Sequence, residues 1–274
     1  MTEDTEHPLG PEYLAGCLAL SGAASWNQNE ADWRLMLELG RGWGISLSDG
    51  TLAASTLVLP YGAFAWISMV LVLPAQRRKG YASRLLRVAT AELERRGQLP
   101  VLDATPAGRE VYRREGFRDT WGFKRFHLAA APRPPGVAPA RPLEDWDGAL
   151  ALDAEAFGGP RAPLLRALQA RMPRCALQLP GEGFVLARDG RVAAQIGPLI
   201  ARDEASAIAL LGAALRQARP PLYVDAADHA PRLQEWLLAR GFTVQRPFTR
   251  MVRGAVRAPG NEKLVYLVAG PELG

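Results

Sequence analysis

The sequence predicts an α/β protein of the α+β kind, built as two related halves in tandem. Apolar strand-like runs alternate with amphipathic helical stretches. The order strand, Asp-Ala, loop, helix, Gly-Phe occurs twice, in "PVLDATPAGREVYRREGF" and "PLYVDAADHAPRLQEWLLARGF". A proline-rich segment separates the two occurrences. The 274 residues suffice for two domains of about 100–150 residues each.

In chain order, Pro11 to Ala19 and Glu30 to Leu39 predict helices, the second capped by Asn29 and striped by Trp33, Leu35, Met36 and Leu39. "WGISLSDGTLAASTLVL" predicts a hairpin turning at Asp49-Gly50. "AFAWISMVLVL", Ala63 to Leu73, is a strand too apolar to be exposed on either face. A helix from about Ala82 to Arg96 follows, with Leu85, Leu86, Val88, Ala89 and Leu93 on its inner side. "PVLDA" is a strand, and the next helix opens at Pro106 and stops before Gly116. "WGFKRFHL" closes the first half.

From Ala129 to Pro142 five prolines forbid helix and favour an extended segment. The expected division is therefore residues 1–130, a linker at 131–142, and residues 143–274. The second half predicts strand, turn and strand in "FVLARDGRVAAQIGPLI", a helix in "DEASAIALLGAALRQA", the strand "PLYVDA", a helix stopped by Gly241, and the strands "TVQRPFTRMV" and "KLVYLVA".

The net charge is +5 and the pI near 9.5, almost wholly from arginine, since Lys79, Lys124 and Lys263 are the only lysines. No stretch interleaves aromatic and basic residues as a nucleic-acid platform requires, so the basic balance predicts a solvated surface. Cys17 and Cys175 form neither a disulfide framework nor a metal cluster, and no metal is expected. The polar start "MTEDTEHPLG" is no signal peptide, and no apolar run reaches the roughly 18 residues of a membrane span. A cytoplasmic protein without membrane partners is expected.

The chemistry-bearing stretch is "LVLPAQRRKGYASRLLRVATAEL", Leu71 to Leu93. A buried strand breaks into Arg77, Arg78 and Lys79, then Gly80, Tyr81 and Ala82 open a helix. A diphosphate needs free backbone N–H groups, a helix N-terminus and no obstructing side chain, and this turn offers all three. A basic solvated turn would look similar in isolation. No G-x-G-x-x-G follows the first strand, which argues against a dinucleotide fold.

With its context, this turn resembles the pyrophosphate motif of the GNAT superfamily of acyl-CoA-dependent N-acyltransferases, [QR]-x-x-G-x-[GA], with Arg77, Gly80 and Ala82 in the fixed positions. "TPAGREVYRREGF" resembles the second motif, with Tyr112, Gly116 and Phe117 matching and Thr105 where many members have asparagine. The resemblance implies two GNAT-like domains, each a mixed, mostly antiparallel sheet flanked by helices, with a splayed strand pair in the first. Acetyl-CoA is then the expected co-substrate. Its pantetheine arm would lie along Val70, Leu71 and Val72, and its pyrophosphate on Arg77, Arg78, Lys79, Gly80, Tyr81 and Ala82. The implied activity is direct acetyl transfer to an amine of a small molecule or peptide. A non-catalytic acyl-CoA sensor, whose second half carries the output, is the alternative.

Tyr112 is the expected general acid, because a phenol with a pKa of about 10 stays protonated at neutral pH; the ordinary alternative is an amphipathic core tyrosine. Backbone N–H groups near Met69 to Leu71 would polarise the thioester. The strand carries no carboxylate to act as base, and Ser68, Asp103 and His127 remain alternatives. Trp26, Asn27 and Gln28, after the first helix, are expected to line the acceptor cleft, with packed and capping roles as their ordinary reading.

The second half departs from the pattern. At the equivalent of the phosphate turn, Arg202 is followed by Asp203 and Glu204, which repel a diphosphate, and no glycine follows. The helix equivalent to that of Tyr112 has no tyrosine. A GNAT-like domain without acyl-CoA, closing over the acceptor cleft, is expected. Asp225, Asp228 and His229 read as turn and cap residues, and Arg250 and Met251 as residues able to face the acceptor.

Overall fold

The computed structural model describes residues 4–130 and 140–274. In chain order the elements are β1 (Thr5–Leu9), α1 (Leu14–Ala23), α2 (Glu30–Leu39), β2 (Arg41–Ser46), β3 (Leu52–Pro60), β4 (Phe64–Val72), α3 (Tyr81–Arg95), β5 (Leu99–Ala104), α4 (Pro106–Arg114), β6 (Arg118–Leu128), β7 (Arg141–Pro142), α5 (Trp146–Phe157), α6 (Ala162–Arg171), β8 (Leu177–Leu179), β9 (Gly183–Arg188), β10 (Ala194–Ala201), α7 (Glu204–Leu215), β11 (Leu222–Ala227), α8 (Pro231–Leu238), β12 (Thr243–Val252) and β13 (Val265–Leu267). Most of the linker expected at 131–142 lies outside the described residues; its last two, Arg141 and Pro142, form the edge strand β7.

Local sequence explains most boundaries. Asn29 caps α2 reciprocally with Asp32: the Asp32 amide donates to Asn29 Oδ1, and the Asn29 amide donates to Asp32 Oδ2. Thr105 Oγ1 accepts from the Gly108 amide, and Pro106 occupies the first turn of α4, where no N–H is needed. Alternate residues of β4 enter different cores. Phe64, Trp66 and Met69 join Trp33, Met36 and Phe157 beneath α1, α2, α5 and α6, whereas Ala65 and Ile67 meet Leu86, Ala89 and Leu93 of α3 on the opposite face. Such two-sided burial is why this strand carries no polar face.

Among the described residues, the two halves share one sheet of thirteen strands, ordered β1-β2-β3-β4-β5-β12-β6-β11-β13-β10-β9-β8-β7. Neighbours are antiparallel except β4–β5 and β10–β11. The last long strand of each half crosses over: β12 pairs with β5, and β6 pairs with β11, while β6 and β12 pair with each other. An expectation of two tandem domains does not specify this exchange, because each strand is equally apolar wherever it lies.

The pair β4–β5 is hydrogen-bonded only from Phe64↔Leu99 to Trp66↔Val101 and then separates. The equivalent pair in the second half, β10–β11, is joined from Ala194↔Leu222 to Ile196↔Val224 and also separates. That second gap is occupied by the chain itself. β13 lies antiparallel to β10 at Leu199↔Leu267 and to β11 at Ala226↔Leu267. No helix among the described residues is long and apolar enough to cross a membrane.

Candidate active site

Beyond Trp66 the edge of β4 that faces β5 is unpaired, while its other edge stays on β3 through Ser68↔Leu57, Leu71↔Ser55 and Val72↔Ala54. The register slips between Ser68 and Leu71, so two residues of β4 stand opposite one of β3. Met69 adopts φ +51° there, and the Ser55 hydroxyl fixes the bulge by donating to the Met69 carbonyl at 2.7 Å. Because a peptide's C=O and the next N–H point in opposite directions, holding that carbonyl against β3 turns the Val70 amide toward the gap.

The strand ends at Val72, and the turn from Arg77 to Gly80 delivers the chain into α3. Arg78 (φ +64°) and Gly80 (φ +82°) are both left-handed, so the backbone curls just before the helix begins. Gly80 stands at the N-cap of α3 without a capping side chain, and a Cβ there would meet nothing within 4 Å. The helix N-terminus therefore opens onto free space flanked by exposed Arg77, Arg78 and Lys79. Tyr81 turns its ring inward against Ile45, Ala54 and Leu85 and donates its hydroxyl to Asp4, so only its main chain faces the turn. Arg77, Arg78, Lys79, Gly80 and Ala82 are thus gathered at one helix end, continuous with Val70, Leu71 and Val72.

Across the gap, α4 presents Tyr112. Gly108 lies one turn earlier, and a Cβ there would stand 3.0 Å from Tyr112 Cε2, so the glycine lets the ring lie along the helix. Burial pushes the Tyr112 phenol up to about 12. α4 is clamped to β6 by Asp119, which accepts from Arg109 at 2.5 and 2.9 Å and also from Arg113; these bonds hold its carboxyl down at about 2.

Tyr112, Ile67, Ser68, Met69 and Val70 form one wall of a cleft whose opposite side comes from Trp26, Gln28, Arg125, Arg246, Phe248 and Glu272. Its cavity volume is about 40 Å³, space for roughly three waters at about 10–15 Å³ each. Most charges around it are already partnered. Asp103 accepts both bonds from Arg250 at 3.0 Å, and burial raises its carboxyl pKa against the pull of that guanidinium. Arg125 is bidentate on Asp225 at 2.8 and 2.7 Å. Glu272 is buried, with Oε1 on Arg188, which also grips Asp32 at 2.8 Å; Glu272 Oε2 has no hydrogen-bond partner among the described residues. Gln28 Oε1, Ser68 Oγ and Arg246 Nε are likewise buried without a hydrogen-bond partner among the described residues.

The predicted site residues separate accordingly. Trp26 and Gln28 line the cleft. Asn27 does not: its Nδ2 donates to the Ala193 carbonyl at 2.9 Å and its Oδ1 accepts from the amides of Val192 and Ala193, bracing the β9–β10 turn. Among the candidate bases, Ser68 and Asp103 line the cleft, but Asp103 is held by Arg250. His127 sits elsewhere on β6 against Tyr223, with ring centroids 5.2 Å apart. Arg250 is stacked between Trp66 and Trp121, 4.3 Å from each ring, and Met251 is in the core. Asp228 pairs with Lys124 and Asp225 with Arg125, and no cluster able to hold a metal exists among the described residues. In the second half, Asp203 caps α7 by accepting from the Ser206 amide at 2.7 Å, at the helix end equivalent to the open turn at Gly80.

Sequence reasoning missed Arg125, Arg246, Phe248 and Glu272. Arg246 and Phe248 alternate along β12, a period-two signal that marks one face but not which half it faces. Glu272 carries no local signal at all: it lies in the tail after β13, and the tail is brought back by Trp66 Nε1 and the Tyr61 hydroxyl, which donate at 3.0 Å to the Pro271 and Leu273 carbonyls.

Comparison with known proteins agrees with this architecture. Residues 16–117 match the model of the acetyltransferase (GNAT) family, and residues 149–267 match that of an acetyltransferase (GNAT) domain. A crystal structure of a presumed acetyltransferase from Pyrococcus horikoshii superposes with TM-score 0.84 at 22% identity, covering 100% of this chain and 97% of its own. A GCN5-related N-acetyltransferase from Sphaerobacter thermophilus gives TM-score 0.63 at 18% identity, covering 95% and 98%. A tandem GNAT protein from the clavulanic acid biosynthesis pathway gives 0.60 at 14%, covering 91% and 98%. No curated protein matches the chain. Two matching domains, the tandem order and a sheet that splays at β4 together place this chain in the GNAT superfamily of acetyltransferases, as a tandem member.

Proposed function

We propose that the first half binds acetyl-CoA and that the protein transfers its acetyl group directly to an amine. The observation that carries this reading is the continuity of an unpaired β4 edge with an uncapped helix N-terminus. An extended amide-bearing arm adds to a free strand edge as another strand would, and a diphosphate suits the turn at Gly80. Acetyl-CoA supplies an activated thioester to the cleft.

The residues then divide the work. Val70, Leu71 and Val72 offer main-chain bonds along the arm. Arg77, Arg78 and Lys79 add charge beside the amides of Gly80, Tyr81 and Ala82. The amides that follow the Met69 bulge stabilise negative charge on the thioester oxygen as it develops. Tyr112 is protonated at neutral pH and donates to the departing sulfur. Trp26 and Gln28 line the acceptor side. The second half does not take part in acyl-CoA binding, since β13 fills its gap and Asp203 caps its helix.

The test is calorimetric titration with CoA, followed by thiol release from acetyl-CoA with a broad panel of amines. CoA binding with amine-dependent thiol release is expected. Binding without release from any amine would make the protein a non-catalytic acyl-CoA sensor, and absence of binding at millimolar CoA would overturn the reading altogether.

A further inference from the structure

The cleft holds two opposite charges that the fold leaves available. Arg246 makes no ion pair among the described residues, and its buried Nε has no acceptor. The Phe248 ring lies 5.3 Å from its guanidinium, and both line the cleft. Burial and the neighbouring Arg125 press on its charge, and Asp225 and Glu272 offset this only in part, so an anion placed there would relieve the remaining cost. Opposite in sign, Glu272 shares Arg188 with Asp32, which Arg171 also grips at 2.5 Å, and its Oε2 is left unpartnered in the same cleft. Asp103 and Arg125 also line this space, but each is neutralised by its own bidentate partner. A cavity with one free cation and one half-free carboxylate is incomplete without a ligand carrying both complements. Its small volume limits that ligand to a compact head.

We propose that the acceptor is a small amine bearing a carboxylate, an amino acid or close relative, with its carboxylate on Arg246 and its ammonium group on Glu272 Oε2. Glu272 also takes the ammonium proton, which supplies the base that β4 lacks. This inference rests on the acyl-transfer reading above. The balance is complete. An N–H bond of R–NH3+ breaks and the proton passes to Glu272, then to water. The freed lone pair forms the N–C bond to the acetyl carbonyl, and the C–S bond breaks with its electrons on sulfur. Tyr112 protonates that sulfur, and the second nitrogen proton restores the phenol. The products are the N-acetyl compound, CoA thiol and one proton.

The test uses the full chain, acetyl-CoA, the twenty protein amino acids, their carboxamides and their decarboxylated amines, read as thiol release. The best acceptor is expected to keep its carboxylate, with kcat/KM at least about 100-fold above its carboxamide and its decarboxylated amine, because their binding leaves the half-buried Arg246 without an anion. Arg246→Met should raise KM for that acceptor by about 100-fold while leaving CoA affinity unchanged, and Arg246→Lys should recover part of the loss. Glu272→Gln should lower kcat by about 100-fold without weakening CoA. The panel on the unaltered protein decides the matter even where a variant folds poorly. A preferred acceptor without an anionic group would overturn this inference and leave acyl transfer standing. CoA binding with no turnover, and no calorimetric binding of any amino acid to the CoA-loaded protein, would overturn it too. Failure of CoA to bind, with no thiol release, would overturn both.

Discussion

Asp103 of β5 and Arg250 of β12 meet in a bidentate ion pair, both bonds 3.0 Å, across the line where one half of the chain joins the other. Asp225 of β11 and Arg125 of β6 repeat the arrangement at 2.7–2.8 Å. The two aspartates are equivalent in the internal repeat, and each is matched by an arginine on the strand that crossed over. Arg250→Met strips buried Asp103 of its partner, so a loss of about 3–5 kcal/mol is expected in urea unfolding. The double variant Asp103→Leu/Arg250→Met should regain most of it. Equal stability of the single variant and the unaltered protein would show that the pair contributes nothing.

Tyr112→Phe removes the proton donor but keeps the ring. kcat should fall by about 10²–10⁴-fold with CoA affinity unchanged. Because burial raises this phenol to about 12, the protonated, donating form persists well above neutrality. kcat should therefore show no alkaline decline from this group up to about pH 10. Full activity of the variant would remove the assignment.

Gly80→Val tests the helix end. The backbone there has φ +82°, so a branched side chain costs about 1–2 kcal/mol in conformation alone. The added atoms also enter the open space before α3. Affinity for CoA should drop by at least about tenfold, equivalent to 1.4 kcal/mol, while affinity for pantetheine, which lacks the diphosphate, stays level. Parallel losses for both ligands would place the diphosphate elsewhere.

Asn27 and Gln28 are adjacent yet perform different tasks. Asn27→Ala strands the Val192 and Ala193 amides and the Ala193 carbonyl, a loss of about 2–4 kcal/mol in thermal or urea unfolding, with the acceptor KM unmoved. Gln28→Ala should behave in the opposite way, changing the acceptor KM several-fold and stability little. Reversed outcomes would exchange their roles.

Local chemistry made much of this protein legible beforehand. The cap at Asn29, the proline entry to α4 and the turn at Gly80 each announce themselves through a few neighbouring residues. The strand β4 does so through an unbroken apolar run, and its lack of a carboxylate was visible as well. What could not be foreseen depends on distant chain segments meeting. β1 carries no strand signal in its sequence, because "TEHPL" is half-exposed and polar. Arg246 and Phe248 reach the cleft only because β12 crosses into the first half, and Glu272 only because the tail returns after β13. The amide of Asn27 points to a turn 165 residues away rather than to the cleft beside it, and no short-range pattern distinguishes the two.

The crossing of β6 and β12 has a further consequence for heredity of function. Neither half owns a complete edge: cut apart, each would present a bare row of peptide groups and an aspartate stripped of its counter-ion. The smallest heritable module is thus the whole chain. Any lesion in residues 243–252 must be felt at the floor of the opposite lobe's cleft, and drift in one copy of the repeat is constrained by the other.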